Sequence, residues 1–408
     1  MEKGKLPEGW EWKTINDIAE KEKNAIVDGP FGSNLLLSDY IDNGEVPVIS
    51  TLNFEEGFEK EKLRFISKGK FEEISRSAIK PGDLIVAKIG SCGKCEFYPA
   101  HMPIGIIPAN LLKITISKNV NKKFIYYYLK STLFKKYLNS IIKTTSQPAF
   151  SITDFKQLPI PLPPLPVQRR IVEILDQADA LRRLRAQADA ETQKLLQSVF
   201  YEMFGDPVRN EKGWTLAKLK DISEEVTVGI VVRPASYYVE SGIPAFRSLN
   251  VKEDALNLEN LVFINPDVND TILSKSKLRT GDILVVRTGN PGTSCVVPAE
   301  FNGANCIDLI IIRPNRVVVN SKFLSKFLNS DYGKAQSLAS NTGLAQKHLN
   351  ITNIRELIVT LPPLQLQEKF SHIMENLERY GKMQTISTHE IERLFDVLMK
   401  KAFNGELN

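Results

Sequence analysis

The side chains with the clearest chemical potential in this 408-residue chain are polar and basic ones in glycine-flanked loops of both halves. Arginine and lysine suit the edge of guanine, asparagine and glutamine suit adenine, and lysines and small hydroxyls hold phosphates. Flanking glycines let the backbone approach a ligand closely. We therefore predict a DNA-contact set, while for each single member an ordinary exposed loop residue stays the alternative. The set is Ser33, Ser50, Asn53, Lys88, Ser91, Lys94 and Gln147, followed by Arg233, Arg247, Ser248, Asn250, Arg287, Asn290, Thr293, Gln346, Lys347 and His348.

Motifs for catalysis or metal binding are missing from the sequence. The segments GSCGKC and GNPGTS lack phosphate-loop spacing, no HExxH occurs, and the four histidines are scattered. Cys92 and Cys95 have metal-ligand spacing, but no second pair lies near them. Asp83 and Asp282 stand in Gly-Asp turns before predicted strands, so their predicted role is turn formation. We predict no catalytic residue and no metal site.

Most of the chain is present twice. The segment KPGDLIVAKIGSCG (80–93) corresponds to RTGDILVVRTGNPG (279–292), and YIDNGEVPVISTLNF (40–54) corresponds to YVESGIPAFRSLNV (238–251). QPAFSITDFKQLPIPLPPLPVQ begins at Gln147 and its counterpart QKHLNITNIRELIVTLPPLQLQ begins at Gln346. Gly82 and Gly281 are 199 positions apart, as are those two glutamines. A shared offset over separated blocks indicates duplication of a large domain, with one scaffold carrying two different loop sets.

Each copy ends in a predicted long helix, over 167–204 and 366–403, after prolines that favour a sharp helix start. About 38 residues correspond to roughly 57 Å of helix. Apolar residues in steps of three and four predict an antiparallel helix pair, and the alternative is that each helix packs on its own globular domain. The predicted pair interface is Ile171, Ile174, Ala178, Leu181, Leu195, Val199, Phe370, Ile373, Leu377, Tyr380, Ile391, Leu394 and Leu398.

Length and composition bound the rest. A chain of 408 residues exceeds one ordinary core, and β-rich runs such as DLIVAKIG alternate with helical ones. We predict an α+β protein with two tandem globular α/β domains separated by two long antiparallel coiled-coil helices. The predicted domains are 1–165, a first helix 166–205, 206–364 and a second helix 365–408. The net charge of +5 permits a polyanionic partner without requiring one, and four cysteines without a leader or membrane span favour the cytoplasm.

The order of motifs resembles the specificity subunits of type I restriction–modification enzymes. A tryptophan-led opening that ends in Asp-Ile occurs at 12–18 and again at 214–222, and DGPFGSNL (28–35) follows the first. A Pro-Gly-Asp or Thr-Gly-Asp strand and an LPPL-x-x-Q helix entry then occur in both halves. The second copy departs from the first, with VGIVVRP (228–234) in place of DGPFGSNL, so contacts there do not transfer between the copies.

The resemblance implies that each globular half is a target-recognition domain and that the helices fix the gap between two half-sites. It implies a non-catalytic chain that binds an asymmetric, bipartite double-stranded DNA target. Two methyltransferase subunits and motor-nuclease subunits would be its partners, methylating adenine or cleaving DNA. S-adenosylmethionine, ATP and Mg would be bound by those partners. Two alternatives stay open: a fused restriction–methylation enzyme or nuclease, and a non-catalytic scaffold that binds only proteins.

Overall fold

The computed structural model describes residues 5–42, 44–143, 147–338 and 348–407. The chain forms two compact units, unit 1 (Met1–Ala186 with Ile386–Asn408) and unit 2 (Gln187–Thr385). Both mix helices and sheets, so the predicted α+β class with duplicated globular domains and long helices is confirmed. Each unit contains part of both long helices. The four predicted domain boundaries remain a prediction.

Unit 1 contains ten strands and five short helices among the described residues, and the first part of a long helix. The strands are β1 (Glu11–Thr14), β2 (Ile26–Asp28), β3 (Val46–Val48), β4 (Arg64–Ile66), β5 (Ala78–Ile79), β6 (Leu84–Ala87), β7 (Cys95–Phe97), β8 (Gly105–Ile106), β9 (Leu111–Ile114) and β10 (Pro159–Leu162). The helices are α1 (Asn53–Glu56), α2 (Lys68–Glu73), α3 (Lys122–Lys130), α4 (Thr132–Asn139), α5 (Ile152–Lys156) and the start of α6 (Leu165–Phe204).

Unit 2 contains twelve strands and four short helices among the described residues. The strands are β11 (Thr215–Lys218), β12 (Ser223–Val228), β13 (Tyr238–Val239), β14 (Ile243–Phe246), β15 (Val251–Lys252), β16 (Ala255–Leu256), β17 (Val262–Ile264), β18 (Ile283–Val286), β19 (Ser294–Val296), β20 (Asn305–Cys306), β21 (Leu309–Pro314) and β22 (Ile358–Leu361). The helices are α7 (Pro266–Asp270), α8 (Ser321–Asn329), α9 (Asp331–Leu338), α10 (Ile351–Arg355) and the first part of α11 (Leu364–Asn404), whose end belongs to unit 1.

The sheets repeat between the units. The antiparallel sheet β2-β9-β6-β7 corresponds to β12-β21-β18-β19, and the pair β1-β10 corresponds to β11-β22. A further sheet, β4-β3-β8-β5, has a parallel β3–β8 pair, and its counterpart β13-β17-β14-β20 has a parallel β14–β20 pair. Unit 2 adds a hairpin, β15-β16. The internal duplication predicted from the sequence is therefore present in the fold.

The Gly-Asp turns form as predicted. The Asp83 carboxylate accepts a hydrogen bond from the Lys80 backbone N–H at 2.9 Å, and Asp282 accepts from the Arg279 N–H at 2.8 Å. Gly82 has a φ of 86°, a left-handed conformation that glycine adopts without strain. Both aspartates are 3% exposed, and burial raises the pKa of Asp282. These aspartates close the turn before the central strands β6 and β18.

Helices α3 and α4 follow each other directly, as do α8 and α9, and a serine separates the members of each pair. Ser131 ends α3 in extended conformation, and its hydroxyl accepts the Phe134 N–H at 3.1 Å to begin α4. Serine is a strong helix N-cap, which favours a new helix at this point. The aromatic residues Phe124 and Tyr128 are fully buried, as their helical spacing predicts. They contribute to the core that carries the sheet β2-β9-β6-β7.

A buried glutamine anchors the start of each long helix. Gln168, 2% exposed, accepts the Asn121 backbone N–H at 2.8 Å and donates to the Pro163 carbonyl at 2.8 Å. Gln367, fully buried, accepts the Asn320 N–H at 2.8 Å and donates to a proline carbonyl at 2.8 Å. Asn121 and Asn320 are the N-caps of α3 and α8. The LPPL-x-x-Q segments therefore join each long helix to its globular core.

Segments of α6 and α11 pack together within each unit. In unit 2, Gln384 donates to the Thr192 hydroxyl at 3.1 Å, and the Phe200 and Phe370 rings lie 5.8 Å apart, so these segments run antiparallel. In unit 1, Arg182 forms an ion pair with Glu392 at 2.7 Å. The helices also enter the cores of the globular parts. The start of each helix packs on its own globular part, as the alternative predicts, whereas the end of each helix packs on the other globular part. The core residues contributed by the helices are Ile171, Val172, Leu175, Phe395, Met399, Ala402 and Phe403 in unit 1, and Phe200, Phe204, Phe370 and Met374 in unit 2.

The predicted apolar stripe is wrong at four positions, which are 47–54% exposed: Leu181, Leu195, Tyr380 and Leu394. Positions beside the stripe are buried instead, among them Leu175 and Phe395. The predicted stripe assumes that each helix packs only against the other helix. The helix ends also pack on globular cores, so other faces of the helices are buried there. The remaining predicted positions are buried or half-buried: Ile171, Ile174, Ala178, Val199, Phe370, Ile373, Leu377, Ile391 and Leu398.

Candidate DNA interface

The loops after β6 and β18 have the same backbone framework. In unit 1 the Gly90 N–H donates to the Pro148 carbonyl at 2.9 Å, and the Phe150 N–H donates to the Lys88 carbonyl at 3.4 Å. In unit 2 the Leu349 N–H donates to the Arg287 carbonyl at 2.9 Å. In unit 1 the segment before α5 thus crosses the end of β6, and in unit 2 the segment before α10 crosses the end of β18. Each unit holds a cationic side chain from the end of the central strand at this crossing.

In unit 1 this side chain is Lys88, and it forms an ion pair. Its Nζ lies 2.6 Å from Oδ2 of Asp28, at the end of β2, and both side chains are 11% exposed. Arg76 approaches the other oxygen of Asp28 at 3.4 Å, with its side chain 66% exposed. Two cations thus share one carboxylate, and the cluster keeps a net positive charge. The exposed Arg76 guanidinium is the part of this cluster that solvent reaches, and the sequence prediction missed it.

In unit 2 the side chain is Arg287, which has two side-chain partners and donates from Nε to the Leu349 carbonyl at 3.4 Å. Its Nη1 donates to Asp308 at 2.6 Å, its Nη2 lies 2.8 Å from His348 Nε2, and the Arg287 side chain is 16% exposed. His348 Nδ1 lies 3.0 Å from the Thr288 hydroxyl. Because arginine only donates, Nε2 accepts and Nδ1 carries the hydrogen. These contacts fix the plane of the guanidinium, and the prediction missed Thr288 and Asp308.

Six predicted residues lie exposed in loops of the two units. Ser91 and Lys94 stand between β6 and β7, and Asn290 stands in the equivalent loop between β18 and β19. The other three are Gln147, beside the crossing segment of unit 1, Ser33, in the loop after β2, and Arg233, in the loop after β12. Arg233 has a φ of 41°, which is uncommon for a non-glycine residue. Side chains in these positions are accessible to a ligand at the sheet end.

Two predicted asparagines are structural instead, so the prediction is wrong for both. Asn53, 2% exposed, accepts from the Ser50 backbone and hydroxyl and donates to the Gly57 and Lys62 carbonyls. Asn250, fully buried, accepts from the Arg247 N–H at 3.0 Å and donates to two carbonyls. All of their amide groups are used to hold loops. Both asparagines recur in the two copies because the same loop recurs, not because they read a ligand.

Three further predicted contacts also have an internal role. The Ser50 hydroxyl donates to Asn53 at 3.1 Å, and Arg247 donates from Nη2 to the Asn260 carbonyl at 2.6 Å. Thr293 is 3% exposed, and its backbone carbonyl accepts a hydrogen bond from the Val286 N–H at 2.9 Å. Ser248, half-buried, begins the short helix that contains Asn250. Gln346 and Lys347 lie outside the described residues.

The cysteine spacing has a structural explanation in unit 1. Cys92 Sγ lies 3.2 Å from both the Lys88 and the Pro148 carbonyl and shares its single hydrogen between them, which reinforces the crossing. Cys95 is buried in β7, and burial raises its pKa to about 12. Over residues 5–42, 44–143, 147–338 and 348–407, no group of three potential metal ligands is present. No helix in the described part of the chain has the length and apolarity that crossing a membrane requires.

The duplicated units, each with a basic side chain paired to a carboxylate at the end of a central strand, define a tandem two-unit protein. A family model described as type I restriction modification DNA specificity domain matches residues 7–192 and 211–393, and the chain belongs to this family. It is 24% identical over its whole length to the type I restriction enzyme StySPI specificity subunit of Salmonella potsdam, covering 91% of that protein. It is 23% identical to the EcoKI specificity subunit of Escherichia coli strain K12, with all of this chain and 91% of that protein covered.

Solved structures have the same fold. A chain from a structure on complex assembly and conformational transition of the type I R-M system matches with a TM-score of 0.63 and 20% identity, covering 99% of this chain and 100% of that one. The S subunit of the M. genitalium type I restriction-modification system matches with a TM-score of 0.54 and 16% identity, and 98% of each chain is covered. At these identities the likeness establishes the fold.

Proposed function

We propose that this chain is the DNA-recognition subunit of a type I restriction–modification complex. Each unit binds one part of an asymmetric bipartite target in double-stranded DNA, and the long helices fix the gap between the parts. The observation that carries this proposal is the repeated sheet end, where a held cation and exposed polar loops occur in both units with different side chains. Because the two units share a backbone framework but carry different side chains at the sheet end, they suit a DNA target whose two halves differ in sequence.

The chemistry is assigned to partner subunits. Two methyltransferase subunits would methylate adenine with S-adenosylmethionine, and motor-nuclease subunits would use ATP and Mg to cleave. Support for a non-catalytic chain comes from the family, since the relatives it matches are specificity subunits. The complex would act on DNA in the cytoplasm of a prokaryote-like cell. The alternative of a scaffold that binds only proteins is not favoured by the family.

Arg287 is the side chain that we propose to read a base in unit 2. Asp308 and His348 hold its guanidinium in one plane, and such a pre-oriented fork suits the two acceptors of guanine. Arg76 is the corresponding candidate in unit 1, where it is exposed beside a carboxylate already paired with Lys88. Gln346 and Lys347, which lie outside the described residues, belong to the proposed unit 2 contact set on the basis of the sequence alone.

Binding to half-scrambled duplexes tests this assignment. The chain is assembled with its methyltransferase subunits, and affinity is measured by fluorescence anisotropy from 50 to 200 mM salt. Arg287→Ala should weaken binding to the full target about 5- to 150-fold, from ~1–3 kcal/mol for a bidentate base contact. It should have no effect on a duplex whose unit 2 half-site is scrambled, because that contact is already lost.

Arg209→Ala is the matched control, since Arg209 is an exposed arginine of unit 2 on the segment just after α6. Equal losses on both duplexes would reject a base contact by Arg287. Absence of any sequence preference in the wild-type complex, with an active methyltransferase, would instead favour the protein scaffold. A steep fall of affinity with salt supports phosphate contacts.

A further inference from the structure

Two loops leave equivalent sheets at equivalent points and carry exposed apolar side chains. In unit 1 the loop after β2 exposes Phe31 by 70%, and Leu37 by 81%. In unit 2 the loop after β12 exposes Val231 by 54% and Val232 by 68%. Single exposed apolar residues are ordinary on protein surfaces. Grouped apolar residues at the same place in two diverged copies call for an explanation, and we call these loops the apolar tips, 29–37 and 229–233.

The start of each tip is fixed by a glycine. The Gly29 N–H donates to the Leu111 carbonyl at 3.2 Å, and the Gly229 N–H donates to the Leu309 carbonyl at 2.9 Å. A Cβ atom on Gly29 would lie 2.0 Å from the Pro108 carbonyl carbon, and on Gly229 it would lie 2.4 Å from a carbonyl oxygen. Only glycine fits so close to the neighbouring backbone. Both tips therefore begin from a constrained position.

Each tip adjoins the paired basic side chain of its unit, Lys88 in unit 1 and Arg287 in unit 2. Asp28, which pairs with Lys88, directly precedes Gly29, so Phe31 lies within about 11 Å of it along the chain. In unit 2 the Asp308 N–H donates to the Ile230 carbonyl at 3.0 Å, and the Asp308 carboxylate pairs with Arg287. An apolar surface and a cation are thus presented side by side in both units.

This combination matches one feature of DNA. In the major groove, the 5-methyl group of thymine is the apolar group on the base edges, and it stands among hydrogen-bonding groups and phosphates. We propose that the two apolar tips contact thymine methyl groups, one tip in each half of the target. The inference rests on the proposed DNA recognition and adds which base feature the tips detect.

Deoxyuridine substitution tests the proposal, because it removes only the methyl group. The assembled methyltransferase complex is titrated with its target duplex, known from mapping methylated bases, and with duplexes that have single thymines replaced. Loss of one contacted methyl should weaken binding about fourfold, the factor that ~0.8 kcal/mol per buried carbon group corresponds to. At least one thymine in each half should respond.

Variants assign each methyl to a tip. Phe31→Ser should abolish the thymine preference in one half-site, and Val232→Ser should abolish it in the other, while each leaves the opposite half unchanged. Val317→Ser is the control, with an apolar side chain 82% exposed in unit 2. Ser223 pairs with Pro314, so Val317 follows the end of the β12–β21 pair opposite to Gly229. The control should keep both preferences, and unfolding midpoints of all three variants should match the wild type.

Two results would overturn the inference while leaving DNA recognition intact. One is specific binding that no deoxyuridine substitution changes. The other is a loss of affinity in Phe31→Ser that is equal for thymine and deoxyuridine duplexes. If 2-aminopurine placed in the duplex also changes its fluorescence on binding only when Phe31 is present, Phe31 inserts as a wedge between base pairs instead. A wild-type complex without sequence-specific binding would refute the proposed function itself.

Discussion

Replacing the glutamine that anchors α6 should destabilise unit 1 markedly. Gln168→Ala removes the acceptor of the Asn121 N–H and the donor to the Pro163 carbonyl, both at 2.8 Å. A buried polar group without a partner costs ~1–3 kcal/mol. Asn121 is only half-buried and water replaces part of that bond, so the two losses together should cost ~2–4 kcal/mol.

Differential scanning calorimetry measures this effect. In a unit of this size, 1 kcal/mol corresponds to a change in Tm of about 2–4 °C, so the expected fall is about 4–16 °C. Gln187→Ala is the matched control, because Gln187 is an exposed glutamine of α6 whose amide donates to Glu191 at 2.9 Å. Its expected cost is ~0.5 kcal/mol or less. A Tm for Gln168→Ala within about 1 °C of this control would refute the anchoring role.

Three other predictions follow from local geometry. Gly29→Ala should lower the unfolding midpoint strongly because its Cβ meets the backbone at 2.0 Å, whereas Gly32→Ala, with nothing within 4 Å, should not; equal midpoints in urea titrations would contradict the close contact. Asn250→Ala should cost ~1–3 kcal/mol of stability by removing the buried amide that holds the Asn257 and Glu259 carbonyls, whereas exposed Asn290→Ala should leave stability unchanged; a stable Asn250→Ala with altered base preference would instead indicate a base contact by Asn250. Thiol titration at pH 8 should modify half-buried Cys92 first and the other three cysteines only after denaturation, since burial raises their pKa values further; rapid reaction of all four would indicate an open core.

The duplicated architecture was predictable because its signals are local or repeated. Gly-Asp turns before β6 and β18 follow from turn chemistry within three residues, and the helix starts after LPPL follow from proline. The anchoring role of Gln168 was not predictable, since its partner Asn121 is 47 residues away. The sequence shows an equivalent glutamine in both copies but does not reveal which backbone group it binds.

The candidate site was predicted less completely, for a physical reason. A polar residue in a glycine-flanked loop either faces solvent or turns back to satisfy the backbone, and spacing does not distinguish the two. Asn53 and Asn250 turn back, whereas Asn290 faces solvent. Lys88 and Arg287 were predicted as contacts, but the carboxylates that hold them lie 60 and 21 residues away. Only the folded sheet brings these pairs together.

The most direct test of the central claim is a methylated-base map of DNA from cells that express this chain with its methyltransferase subunits. The account predicts one asymmetric motif in two parts with a fixed gap. Exchanging 206–364 for the same region of a relative should change one part of the motif and preserve the other. Methylation without a bipartite motif, or a change in both parts after the exchange, would contradict the assignment of one half-site to each unit.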